Sequence, residues 1–255
     1  VLRIEREGHV VLWTIDRPST KNSLDRSTIV ALTRAARDVT SSPEVRAAVL
    51  TGVGDCFASG GDLRELRGRH SVADAEALSD LGFAMTTAIT EARVPVIAAI
   101  SGAAIGGGAE LALACDMRVG DTRALLSFKH ARMGVTTAWG SVPRLMHVVG
   151  ASAAARLLFS GREISAPEAH AMGLFDEMVD EGEALMTALA WAREISHASP
   201  TAVHSMKRLL RASVEAAAGV RDFERQLFTE AWCSEDHIDA VEAYFSRRAP
   251  RWMAR

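Results

Sequence analysis

Residues 101–116 read SGAAIGGGAELALACD, and this stretch constrains the fold more than any other. A run suited to a buried strand, VPVIAAISG (94–102), passes through three consecutive glycines into an alanine- and leucine-rich segment of helical composition. Glycine is a poor helix former, so a helix that starts on three of them does so for a backbone reason. Without Cβ atoms the chain can approach a neighbour or a ligand closely. The first N–H groups of a helix have no partner inside it, and the helix dipole adds positive character there. Amides placed this way suit an oxygen that becomes negative during a reaction. The same residues equally describe a tight strand-to-helix turn. A P-loop is excluded, because no GK[ST] follows the glycines.

Glu110 follows two residues after Gly108, at the start of this helix. The ordinary reading is a solvated carboxylate favoured by the dipole. The functional one is a general acid or base set against the apolar walls of Leu111–Ala114. A second glycine turn, FASGGDL (57–63), also follows an apolar strand segment. If the two turns converge, each supplies one N–H to a single oxygen, which is an oxyanion hole. TGVGDCF lacks the third glycine of a dinucleotide fingerprint, and no GxSxG elbow occurs. His130 in SFKHARMG is the nearest partner for Glu110, although a lone histidine is more often structural or exposed.

Periodicity supplies the frame. Residues 2–6 and 9–15 alternate in polarity around Gly8 and predict a hairpin. Asp25 can cap a helix running to about Ser41, and RAAVLTG (46–52) reads as a buried strand. A helix is expected near 72–92, and strands in DMRVG and ALLSF. Helices near 139–148, 151–159 and 166–172 precede a strand at 174–179, and further helices cover most of 182–247, with Pro200 opening one. Strands alternating with helices, followed by a helical tail, predict an α/β core.

The 29 basic and 32 acidic side chains give a net charge of −3, which does not point to nucleic acid or an anionic membrane as partner. Cys56, Cys115 and Cys233 are far apart, offer no CxxC pair and suit a reducing cytoplasm. The alternating start VLRIEREGHVVLW is unlike a signal peptide, and no apolar run reaches the ~20 residues of a membrane span. No metal-ligand set is visible.

Taken in order, TIDRPSTKNSLD (14–25), AVLTGVGDCFASGGDL (48–63), PVIAAISGAAIGGGAELALACDMRV (95–119), SPTAVHSMKRLL (199–210) and YFSRRAPRW (244–252) resemble the crotonase, or enoyl-CoA hydratase/isomerase, family over nearly the whole chain. The resemblance implies an α/β spiral of ββα units over 1–190 and a helical trimerisation region over 191–255, assembled as a homotrimer or a hexamer. It also implies an acyl-CoA thioester substrate, with no cofactor beyond its CoA moiety. The two oxyanion N–H groups would fall on Gly61 and Gly107, and CoA contacts near Lys21, Ala58, Asp62 and Leu63. Glu110 matches the first catalytic glutamate of typical hydratases; the position of the second holds His130, preceded by Lys129. The segment Phe128–Gly134 with Trp139-Gly140, and the stretch ERQLFTEAW (224–232), are similar to ethylmalonyl-CoA decarboxylase-like members of the family.

That narrower resemblance makes decarboxylation of a short alkylmalonyl-CoA the first expectation. Gly61 and Gly107 would stabilise the enolate, His130 would supply the proton with Glu110 as the alternative donor, and Trp139 would wall the pocket or simply belong to the core. The alternatives are an enoyl-CoA hydratase or isomerase using Glu110, a CoA thioester hydrolase, and a non-catalytic acyl-CoA-binding protein.

Overall fold

The computed structural model describes residues 1–215 and 220–251. The chain opens with the antiparallel pair β1 (Leu2–Glu7) and β2 (Val10–Ile15), in which Leu2 faces Ile15. Helix α1 (Arg26–Thr40) begins where Asp25 accepts the Thr28 amide at 2.8 Å, a cap worth about 1 kcal/mol. Then come β3 (Ala47–Gly52), β4 (Cys56–Ala58), the single turn α2 (Leu63–Leu66) and α3 (Val72–Glu91), which a Ser71–Asp74 capping box starts. The pattern repeats in β5 (Val96–Ile100), β6 (Ala103–Ile105) and α4 (Gly107–Ala114). It repeats again in β7 (Met117–Asp121), β8 (Leu125–Ser127) and α5 (Ser141–Ser160), whose backbone is non-helical at Gly150. The remaining elements are β9 (Glu163–Ser165), α6 (Ala166–Ala171), β10 (Glu177–Val179), α7 (Ala184–Ser196), α8 (Pro200–Glu215), α9 (Val220–Trp232) and α10 (Glu235–Phe245).

Each repeat gives one strand to each of two sheets and then a helix. The first sheet has the order β1-β2-β3-β5-β7-β10 and is parallel from β2 onward; the second has the order β4-β6-β8-β9, with β9 antiparallel. This is the expected α/β spiral of ββα units. Sequence periodicity predicts the long strands and helices, but β4, β6 and β9 have three residues each and are too short to show a period. The two helices expected at 139–159 are the two halves of α5, divided at Gly150.

Trp13, Leu32, Leu50, Phe57, Met85 and Phe128 are buried in the main core. The other face of the first sheet packs on α7, where Ala184, Ala188 and Ala192 repeat every four residues along one face against Val49, Ile97 and Val119. Residue 190 therefore lies inside a helix that belongs to the sheet packing. Pro200 occupies the first position of α8, where its missing N–H costs nothing. Among the described residues no helix is long and apolar enough to cross a membrane.

A polar knot fixes the loop after β2 against the loop after β4. Lys21 and Asn22 both have φ of 53°, a left-handed conformation that side chains disfavour. Asn22 is fully buried; its Nδ2 donates to Val53 O at 2.9 Å and Cys56 O at 2.5 Å, and its Oδ1 accepts the Arg17 amide at 3.0 Å. Arg17 reaches Asp62 at 3.1 Å, and Ser23 Oγ donates to the same carboxylate at 2.8 Å. Burial pushes the Asp62 carboxyl up, but the bonds from Ser23, Arg17 and the Arg64 amide outweigh it and hold the group below the usual carboxylate range. Asp25 is shifted in the same direction, where bonds from Thr28 and Ser27 outweigh burial.

Asn22→Ala strands buried partners and should lower stability by about 3 kcal/mol in urea unfolding. Both aspartates have folded pKa values below their unfolded ones, so their stabilisation is complete above about pH 4 and is lost as pH falls through the folded values. The wild-type protein should lose stability as pH is lowered from about 4.5 to about 2, and Asp62→Asn should lose less of it over the same range.

Candidate active site

A cavity of about 840 Å³ opens where the two glycine turns meet. Parallel pairing of β4 with β6 sets Ala58 beside Ala104, so the turns that follow these strands leave side by side. A Cβ on Gly60 would lie 2.8 Å from Ile105 O and 3.3 Å from Gly107 N, and one on Gly108 would lie 2.0 Å from Ala58 O. Real side chains do not fit such distances. The glycines are therefore demanded by packing, and that same contact brings two amide-bearing turns together.

Leu24 bridges to Gly61, with its N–H donating to Gly60 O and its carbonyl accepting from the Asp62 amide. Successive amides alternate in extended chain, so the N–H of Gly61 faces away from Leu24. Gly107 is the first residue of α4, where an N–H has no helical partner. Among the described residues neither amide donates to a backbone carbonyl or a side chain, and both glycines line the cavity.

Glu110 is 2% exposed. Its Oε1 accepts the Trp139 amide at 3.1 Å and the Ser141 hydroxyl at 2.8 Å, and its Oε2 lies 3.1 Å from His130 Nε2. A carboxylate can only accept, so the proton of this pair is assigned to Nε2. His130 Nδ1 is buried and has no partner among the described residues, which suits a lone pair better than an N–H. The solvated reading of Glu110 is ruled out.

Trp139 is buried and lies in a slot left by two missing side chains. A Cβ on Gly82 of α3 would come within 1.9 Å of its Nε1, and one on Gly107 within 2.3 Å of Cζ3. The indole thus packs directly against the residue that carries the second free amide. Lys21, Asp62 and Leu63 also line the cavity. The Asp62 carboxylate is turned into the knot with Arg17, however, so its main chain is what remains for a ligand. Ala58 is fully buried outside the cavity lining, with its carbonyl against Gly108.

Several residues of the site carry no role in a reading of the sequence. Ser141, which is fully buried behind Glu110 and does not line the cavity, belongs to no motif. Phe228 and Trp232 lie in the ERQLFTEAW stretch, whose resemblance assigns neither a role, and both line the cavity. His237 packs on Trp232 with ring centres 4.5 Å apart, and its Nδ1 lies 2.6 Å from Met133 O. Burial pushes the His237 pKa down, against the pull of that bond. Burial and the Asp55 charge raise the Cys56 thiol to about 11, and burial raises Cys115 to about 12. Neither is a thiolate nucleophile at neutral pH.

Known proteins match the chain along its length. The model of the enoyl-CoA hydratase/isomerase family matches residues 5–255. A short-chain-enoyl-CoA hydratase of Clostridium acetobutylicum is 31% identical over 247 residues, covering 96% of this chain and 94% of that one. A 2,3-dehydroadipyl-CoA hydratase of Escherichia coli is 31% identical over 256 residues, covering 100% and 99%. The crystal structure of an enoyl-CoA hydratase/isomerase from Pseudoalteromonas atlantica superposes with a TM-score of 0.89 at 28% identity, covering 99% of each chain. With the spiral, the paired glycine turns and the buried glutamate already in place, this chain belongs to the enoyl-CoA hydratase/isomerase family.

Proposed function

We propose that this protein acts on an enoyl-CoA thioester, hydrating or shifting its double bond, with Glu110 as the group that takes and returns the proton. The observation that carries this is the buried Glu110 carboxylate, with one oxygen fixed by Trp139 and Ser141 and the other on His130, in the wall it shares with Gly61 and Gly107. The names of the Clostridium and Escherichia relatives support an enoyl thioester as substrate class.

In hydration, a water O–H bond breaks and its proton passes to Glu110 Oε2 while the oxygen bonds to C3. The π electrons move toward the thioester oxygen, to which the N–H groups of Gly61 and Gly107 donate hydrogen bonds, each contributing roughly 3–4 kcal/mol. The proton then returns to C2 and the enolate collapses. In a double-bond shift the same carboxylate removes an allylic proton and returns it two carbons along. His130 donates to Oε2 throughout and holds it oriented. Lys21 and the main chain at Asp62 and Leu63 would contact the CoA moiety, and the reading needs no further cofactor. A reducing cytoplasm suits the free cysteines. Exposed Phe159, Met206 and Leu209 support self-association as a trimer or hexamer.

A second reading, decarboxylation of an alkylmalonyl-CoA, is favoured by Lys129 and His130, which both line the cavity beside a single reacting-end carboxylate. A cation and an imidazole there suit an acyl group that carries its own carboxylate. The substrate panel separates the readings. Crotonyl-CoA should lose its conjugated absorbance, or 3-hexenoyl-CoA should gain one, and Glu110→Gln should lower kcat at least about 100-fold. CO2 release from ethylmalonyl-CoA, with neither enoyl thioester changed, would replace the first reading with the second. Binding of all three without turnover would leave an acyl-CoA-binding protein.

A further inference from the structure

The loop between His130 and α5 lies between two buried carboxylates, and its donors alternate between them. Trp139 N–H and Ser141 Oγ donate to Glu110. Thr137 Oγ1 donates to Glu224 Oε1 at 2.9 Å, and Gly140 N–H to Glu224 Oε2 at 3.0 Å. Glu224 comes from α9, far along the chain, and is 6% exposed. The adjacent amides of Trp139 and Gly140 thus point to different acids.

A carboxylate this buried is costly unless its oxygens are hydrogen-bonded, and the loop supplies those bonds. The reverse also holds: without Glu224, the Gly140 amide and the Thr137 hydroxyl are buried donors with nothing to bond. A loop that shifts to pair them again moves Trp139 N–H and Ser141 away from Glu110, and water admitted in place of the side chain holds the loop less firmly than a fixed carboxylate does. Glu224, Phe228 and Trp232 fall at four-residue spacing along one face of α9. The first holds the loop and the other two line the cavity.

We infer that Glu224 is a positioning residue for the reaction: it anchors the Thr137–Ser141 loop and through it fixes the orientation of the Glu110 carboxylate and the Trp139 indole. The inference rests on the reading of Glu110 as the proton-transfer group.

The first test needs no substrate. Hydrogen exchange of the peptide spanning 136–142 should speed up at least about tenfold in Glu224→Ala, including at the Trp139 amide that Glu224 does not touch. Glu224→Gln should restore most of the protection, because its amide oxygen can accept from Gly140 and its NH2 can donate to the Thr137 hydroxyl oxygen. Thr137→Val removes one bond only and should give an intermediate rate; it tests the inference should Glu224→Ala fail to fold. Unchanged exchange at Trp139 in Glu224→Ala, or at 136–142 in Thr137→Val, would overturn the inference.

The second test is kinetic, with crotonyl-CoA. Glu224→Ala should lower kcat about 30-fold while KM stays within about threefold, and Glu224→Gln should recover kcat to within about fivefold of wild type. A parallel fall in kcat and rise in KM, without recovery in Glu224→Gln, would mark a merely structural residue. Glu110→Gln is measured alongside. If it leaves kcat unchanged, the proposed function fails; if it lowers kcat and Glu224→Ala does not, only the positioning inference fails.

Discussion

A carboxylate cannot be placed in an apolar interior on its own. Removing it from water costs more than the fold can spare unless donors surround it. Glu110 meets that demand with a backbone amide, a hydroxyl and an imidazole, brought from three places in the 130–141 segment. The requirement explains why that segment, which has little regular structure, follows one path. It also explains why α4 is buried along its whole length although it carries a charge.

The glycine-rich segments answer two demands with one feature. Their close approach is needed because the helix start at Gly107–Gly108 packs on the strand end at Ala58 and on the Trp139 ring. Their uncovered amides follow from the same absence of Cβ atoms. Of the structural turn and the anion-binding turn, between which the sequence leaves the matter open, the packing establishes the first and is compatible with the second. The contact that requires glycine is the contact that sets two N–H-bearing backbones next to each other.

Legibility in the sequence follows the range of each interaction. Asp25 as a cap, the β1–β2 pair, α1, α3 and the opening of α8 at Pro200 depend on neighbours a few residues away, and pattern alone shows them. The gathering of Gly61, Gly107, Glu110 and His130 into one place is legible in the residues only as a condition, two glycine turns that would have to converge, because it depends on strand pairing across tens of residues. Glu224 opens the ERQLFTEAW stretch, but a single acid on an amphipathic helix carries no local sign of its long-range partners, and neither does the lone Ser141. Asp62 shows the opposite case. Its position beside the cavity was foreseen, but its carboxylate faces Arg17, which only the fold could reveal.

The Trp139 slot has a consequence for how such a pocket can diverge. Gly82, Gly107 and Trp139 come from α3, α4 and the loop before α5, and together they occupy a single volume. Enlarging either glycine evicts the ring, while trimming the ring clashes with neither glycine and opens space beside them. Changes in cavity volume are thus asymmetric: one substitution at position 139 makes the cavity roomier. The return path requires both small residues to have been kept in the meantime.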